Sequence, residues 1–213
     1  MELTTIYMCI GFLLAAYSVV ANDSVQTLGT FMSSNANIRW QYMWAGASVV
    51  LVATLGYGWT VHGGDISFGR LNKIPFQEIQ WYHALAPGIL LLLTRIGIPV
   101  STSFLVLSAF ATTVVLEKML MKSMMGYGVA AIFAYIVWWV VSHWLDERKS
   151  PLGDTQRKWW RVGQWCSTGL LWYMWLSHDV ANIAVFLPRQ LSFEMLLVVM
   201  TVFVVLLGFM FRE

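Results

Sequence analysis

Seven stretches free of Asp, Glu, Lys and Arg follow one another along the chain, at residues 4–21, 42–61, 79–94, 96–116, 124–143, 162–178 and 195–211. A helix crosses a bilayer core with roughly 20 apolar residues, within about 17–25. Most of the stretches meet that length, and the one at 79–94 is marginal. In lipid every backbone polar group must be satisfied inside the chain, which leaves helices as the spanning elements. The pattern therefore predicts an all-α integral membrane protein, a multi-span helical bundle.

Three polar interruptions break the pattern. The first follows the opening stretch and reads Asn22-Asp23-Ser24-Val25-Gln26-Thr27-Leu28-Gly29-Thr30. The second follows the sixth stretch and reads His178-Asp179-Val180-Ala181-Asn182. The third, Pro99-Val100-Ser101-Thr102-Ser103-Phe104, lies midway through a long uncharged region. Pro99 removes a backbone donor and disfavours helix at Ile98. Ser101, Thr102 and Ser103 then offer side chains that cap a new helix. This predicts the tip of a hairpin over 79–116, with one arm from Ile79 to Gly97 and the other from Ser101 to Leu116. The arms either re-enter on one side or both cross.

The order of elements divides the chain into a first transmembrane repeat (1–145), a basic linker (146–163) and the start of a second repeat (164–213). Pro151 and Gly153 mark the linker as a break. It holds Arg148, Lys149, Arg157, Lys158 and Arg161, with Trp138, Trp139 and Trp144 on one flank and Trp159, Trp160 and Trp165 on the other. Basic loops stay cytoplasmic and Trp anchors the interfaces. An odd number of crossings then separates an outside N-terminus from the linker, whether the hairpin re-enters or spans. The second repeat thus starts from the opposite side, as in an inverted repeat. No second Pro-x-Ser-Thr element follows in 164–213, so the second repeat is incomplete, and the chain is expected to be the N-terminal part of a longer protein.

Composition sharpens the class. The chain is 58% hydrophobic and 11% charged, against about 25% charged in soluble domains. The bilayer is its partner, and nothing in it points to nucleic acid. The opening stretch lacks the basic start of a signal peptide. Cys9 and Cys166 lie in apolar stretches and read as small buried hydrophobes. There is no acid–base pair with a nucleophile, no metal-ligand spacing and no cofactor motif, so an enzyme is not expected.

The interruptions carry the candidate chemistry. A carboxylate at membrane depth costs about 2.5–3.5 kcal/mol on insertion scales unless it is paired or hydrated. Asp23 and Asp179 either follow their helices into the headgroup region or line a pathway, and their pairing favours a pathway. On a helix Asn22, Gln26 and Thr30 share one face, with Gly29 a break. Such side-chain oxygens, together with unwound carbonyls, suit a hard cation. Ser101, Thr102 and Ser103 are either a capped turn or an anion site at a helix start. His178 and Asn182 flank Asp179; His178 is either a structural hydrogen-bonder or a group that moves protons. His62, His83 and His143 fall at stretch ends and read as interfacial. Arg95 either snorkels or faces an anion at the hairpin tip.

These elements resemble the inorganic phosphate transporter (PiT) family, symporters of phosphate with sodium or protons. That family repeats a Gly-x-Asn-Asp-x-x-Asn element, followed by Gly-Thr in its first copy, and carries a Pro-Val-Ser-Thr-Thr-His element on a hairpin. The matching residues here are Val20 to Thr30, Leu176 to Asn182, and Pro99 to Phe104, in the same order. Four positions depart: Val20 for Gly, Gln26 and His178 for Asn, and Phe104 for His. The resemblance implies phosphate held by Ser101, Thr102 and Ser103 with Asn22, Asp23 and Asp179. It implies cation coupling through Asn22, Asp23, Gln26, Thr30, His178, Asp179 and Asn182, with a sodium site at Asn22, Asp23, Asp179 and Asn182. It also implies a homodimer. No cofactor beyond the coupling ion is expected, and the expected location is a bacterial inner membrane. His178 offers no carbonyl oxygen, which leaves protons as an alternative coupling ion. The departures also leave open sulfate or another oxyanion, and the incomplete repeat leaves open a non-transporting accessory subunit.

Overall fold

The computed structural model describes residues 2–98, 100–146 and 153–212. Pro99 and the linker residues Arg148, Lys149 and Pro151 lie outside them. Among the described residues the regular structure is helical: α1 (Leu3–Ser18), a π-helical turn (Val19–Ser24), α2 (Val25–Ser34), α3 (Trp40–Val61), a short 3₁₀ turn (Arg70–Lys73), α4 (Trp81–Arg95), α5 (Thr102–Ser108), α6 (Thr113–Asp146), α7 (Asp154–Asp179), α8 (Ala181–Ala184) and α9 (Phe193–Arg212). Four helices are long and apolar enough to cross a membrane: Leu3–Ser34, Trp40–Val61, Thr113–Trp144 and Phe193–Arg212. The architecture is an all-α membrane bundle.

The first polar interruption does not end its helix. α1, the π turn and α2 form one continuous helix, and Gly29 lies inside α2 rather than at a break. The interruption is absorbed by widening one turn. Ser18 supports the entry to that turn, its hydroxyl donating to Leu14 O (2.7 Å) and Pro87 O (3.1 Å). Thr27 supports the exit by donating to Asp23 O (2.8 Å).

Small residues let α1 pack closely, as is general between membrane helices. Ala15 and Ala16 are buried against α4, and Gly11 lies under the ring of Phe186. α3 packs between α7 and α9, fastened by indole N–H groups. Trp44 donates to Val204 O (2.9 Å), Trp59 to Leu191 O (2.8 Å) and Trp172 to Ala47 O (3.1 Å).

The hairpin region departs from its expected arms. α4 and α5 pack on each other across the turn at Gly97, whose φ is +77°. The second arm, however, does not run to Leu116. It ends at Ser108, the chain turns, and α6 begins at Thr113. Phe110 pins that turn: its ring is buried and stacked on His83 at 4.3 Å, and its carbonyl accepts from Gln77 Nε2 at 2.6 Å. His83 is therefore a core residue rather than an interfacial one. Its Nδ1 accepts from the Gln80 N–H at 2.9 Å.

Other expectations also change. α7 starts at Asp154, within the segment read as linker. Cys9 and Cys166 are exposed, because in a bilayer the outward face is the apolar one. Trp165 packs inward, edge-on to Phe31 at 5.0 Å, while Trp138, Trp139, Trp144, Trp159 and Trp160 are exposed. The span of α6 buries none of its apolar window within the chain.

A Cβ at position 11 would collide with the Phe186 ring. Gly11→Ala is expected to lower stability by about 1–3 kcal/mol, the usual cost of overpacking, and Phe186→Leu in the same chain to recover most of it. Thermal unfolding in detergent checks this; an unchanged melting temperature for Gly11→Ala contradicts the packing.

Candidate functional site

An α-helix spreads consecutive side chains around its axis. The π turn at Val19–Ser24 is wider, and π-bulges inside helices recur at functional sites. Here it turns Asn22 and Asp23 inward together. Both are buried, and Asn22 Nδ2 donates to Asp23 Oδ1 at 2.8 Å. A helix containing a carboxylate and an amide side by side thus stays helical while presenting both to its neighbours.

The neighbour is the hairpin tip. Thr102 is buried, and its hydroxyl donates to Asp23 Oδ1 at 2.9 Å while accepting from Asn22 Nδ2 at 3.0 Å. Asn22 Nδ2 also reaches Val100 O at 3.2 Å. Gln26 Nε2 donates to Asn22 Oδ1 at 3.1 Å, one turn along the helix. Ser101 caps α5, its hydroxyl accepting the Phe104 N–H at 3.3 Å. α5 has seven residues, too few for a strong helix dipole, so the polarity of the tip comes from its hydroxyls.

The end of α7 completes the arrangement. Asp179 and Asn182 are buried, and Asn182 Nδ2 donates to Ser103 Oγ at 3.1 Å. The two interruptions and the hairpin are therefore brought together, Asn22 and Asp23 through Thr102 and Asn182 through Ser103. A cavity of about 400 Å³ lies among them, lined in part by Asp23, Gln26, Ser101, Thr102, Ser103 and Asp179. Among the described residues, three buried oxygens around the hairpin tip have no hydrogen-bonding partner: Asp23 Oδ2, Asp179 Oδ2 and Asn182 Oδ1. Buried polar atoms are overwhelmingly paired in folded proteins, so three such oxygens around one hairpin tip mark a place for a positively charged or donating ligand. No group of three or more His, Cys, Asp or Glu able to hold a metal occurs among the described residues, so the donor set is carboxylate, amide and hydroxyl oxygen. Such a set suits a hard cation or a proton.

Two expected residues stand apart. Thr30 is exposed, two turns beyond Asn22, and lines none of the cavities around the hairpin tip. His178 is exposed and its Nδ1 donates to Met174 O at 2.9 Å. It lines the cavities beside the site but makes no hydrogen bond to Asp179. Arg95 is exposed at the end of α4, away from those same cavities.

Sequence reasoning missed the loop after α3. Arg70, on the 3₁₀ turn, lines a cavity beside the hairpin tip; burial lowers its guanidinium from the ordinary value and the field of the Asp179 carboxylate opposes that shift. The only local signal was a charged, glycine-rich segment between two apolar stretches, in which Gly63, Gly64 and Gly69 adopt positive φ.

Comparison with known proteins finds no matching family model, no matching curated protein and no matching solved structure.

Removing the Thr102 hydroxyl at constant shape leaves Asp23 Oδ1 and Asn22 Nδ2 short of a buried partner. Thr102→Val is expected to cost about 1–3 kcal/mol, whereas Thr102→Ser, which keeps the hydroxyl, costs less. Equal melting temperatures for the two variants contradict the contact.

Proposed function

We propose that the chain is a secondary transporter of the inorganic phosphate transporter type, moving phosphate across a membrane with sodium or protons. The observation that carries the reading is the set of unpartnered buried oxygens on Asp23, Asp179 and Asn182, beside the hydroxyls of Ser101, Thr102 and Ser103. An oxyanion entering that cavity alone meets two carboxylates and is repelled. A cation held by those oxygens, or a proton on one of them, removes the repulsion and exposes the hydroxyls as donors. Each ligand then makes room electrostatically for the other, and such mutual dependence is what couples a symporter. Reciprocal binding of this kind is required by linkage.

The hairpin geometry supports re-entry from one side. At about 1.5 Å per residue α4 spans roughly 22 Å and α5 roughly 10 Å, both short of the ~30 Å hydrocarbon core. On this reading the α4–α5 hairpin re-enters rather than crosses, and the motif around Asp179 is the second, inverted copy of the motif around Asp23. Homodimer assembly belongs to the same reading. The hydroxyl and carboxylate chemistry does not by itself separate phosphate from sulfate, which makes sulfate the competitor of choice.

Uptake of radiolabelled phosphate into proteoliposomes tests the proposal. Uptake is expected to respond to an inward sodium or proton gradient. Asp23→Asn and Asp179→Asn are each expected to reduce it at least tenfold, the loss of ~1.4 kcal/mol or more of coupling, with membrane insertion unchanged. Wild-type uptake in both variants contradicts the site.

A further inference from the structure

A second cavity, of about 440 Å³, opens on the other side of the same hairpin tip. Its polar wall is built by Arg70 and Lys73 of the 3₁₀ turn, Lys122 of α6, His178 of α7, and the hydroxyls of Ser101 and Ser103. Among the described residues no Asp or Glu lines it, while Phe104, Leu107 and Met119 supply apolar walls. Cations from separate elements of the fold therefore converge on one space bounded partly by low-dielectric surface, the arrangement that focuses a field on an incoming anion.

The basic wall is a built feature of the fold. Asp65 folds the preceding loop by accepting the N–H groups of Ser67 (2.6 Å) and Gly69 (2.9 Å). Buried Leu71 anchors the 3₁₀ turn, and Arg189 Nη2 donates to Ile74 O (3.1 Å) just after it. Arg70, on that turn, lines the cavity. Ser101 and Ser103 line both this basic cavity and the carboxylate-lined one. Those two shared hydroxyls join the basic cavity to the carboxylate-lined one.

We propose that the cavity formed by Arg70, Lys73, Lys122 and His178 is an entrance site that holds a tetrahedral oxyanion before it passes the hairpin serines into the carboxylate-lined cavity. The chemistry recognised is a phosphate-type group, carried both by free inorganic phosphate and by an anionic lipid headgroup. Continuity with Ser101 and Ser103 favours the free anion. The inference rests on the transporter reading for its direction of travel, but not for the binding itself.

Binding of radiolabelled inorganic phosphate to the purified chain in nanodiscs of neutral lipid, measured across ionic strength, tests it. The wild-type chain is expected to bind phosphate with an affinity that falls steeply with salt. The triple variant Arg70→Gln, Lys73→Gln, Lys122→Gln is expected to bind about tenfold more weakly at low salt and to lose most of the salt dependence. Lys122→Gln alone, on the exposed surface of α6, should show a smaller loss in the same direction without disturbing the fold. Lys73→Arg with Lys122→Arg should retain wild-type behaviour. Equal affinity and salt slope in wild type and triple variant, or no phosphate binding by the wild type, overturns the entrance site. So does abolition of phosphate binding when anionic lipid replaces neutral lipid, which assigns the cavity to a headgroup. Wild-type phosphate binding that needs these cations, without gradient-driven uptake, keeps the entrance site and removes the transporter reading.

Discussion

The arrangement depends on the bond network joining Asp23, Asn22 and Thr102. A carboxylate in the middle of a membrane-spanning helix is costly, and it persists only with donors held against it. Asn22 and Thr102 supply two donors to one oxygen, Asp23 Oδ1. They leave the other oxygen, Oδ2, without a partner. The first fact ties the long N-terminal helix to the hairpin tip. The second leaves the joint incomplete unless a ligand is present. The stabilising contact and the oxygen left open to a ligand are thus the two oxygens of one side chain.

The π turn is what makes that contact geometrically open to a continuous helix. Breaking the helix at Gly29 would have freed backbone carbonyls for a cation but also required those groups to be satisfied in lipid. Widening a single turn keeps the backbone bonded and still turns both Asn22 and Asp23 inward. The end of α7 solves the same problem differently. Its helix stops at Asp179, and α8 resumes after Val180. Asn182 there reaches Ser103, as Asn22 reaches Thr102. Neighbouring hydroxyls of the hairpin are therefore held by amides from the two interruptions.

Much of this was legible in the chain and some was not. Apolar length identified the all-helical class and the four helices long and apolar enough to span among the described residues, because in a bilayer length and charge decide the matter locally; the stretch 162–178 lies in α7, which is not one of the four. The polar interruptions pointed to Asn22, Asp23, Ser101, Thr102, Ser103, Asp179 and Asn182, which the fold gathers around the hairpin tip, because uncompensated polar residues stand out in an apolar background. Gln26 followed from helical spacing, but the same spacing also pointed to Thr30, which is exposed. Spacing gives the face of a helix and does not say how far along it the partner extends. The continuity of the first helix was hidden, since residue types that favour a break also suit a π turn. Burial of His83 and the stop of α5 at Ser108 depend on Phe110, a long-range stacking partner that no local pattern announces. Arg70 was missed for a similar reason. Its meaning comes from Asp179, more than a hundred positions away, and not from its own loop.

The central claim is that the unpartnered oxygens of Asp23 and Asp179 hold a cation or proton whose binding and that of phosphate favour each other. The most direct measurement is thermal stabilisation of the purified chain by sodium, against equal potassium and over a range of pH, with and without phosphate. The account predicts saturable stabilisation by sodium or by acid that phosphate strengthens and that Asp23→Asn removes. Sodium and potassium acting alike at every pH, with phosphate without effect on either, would contradict it.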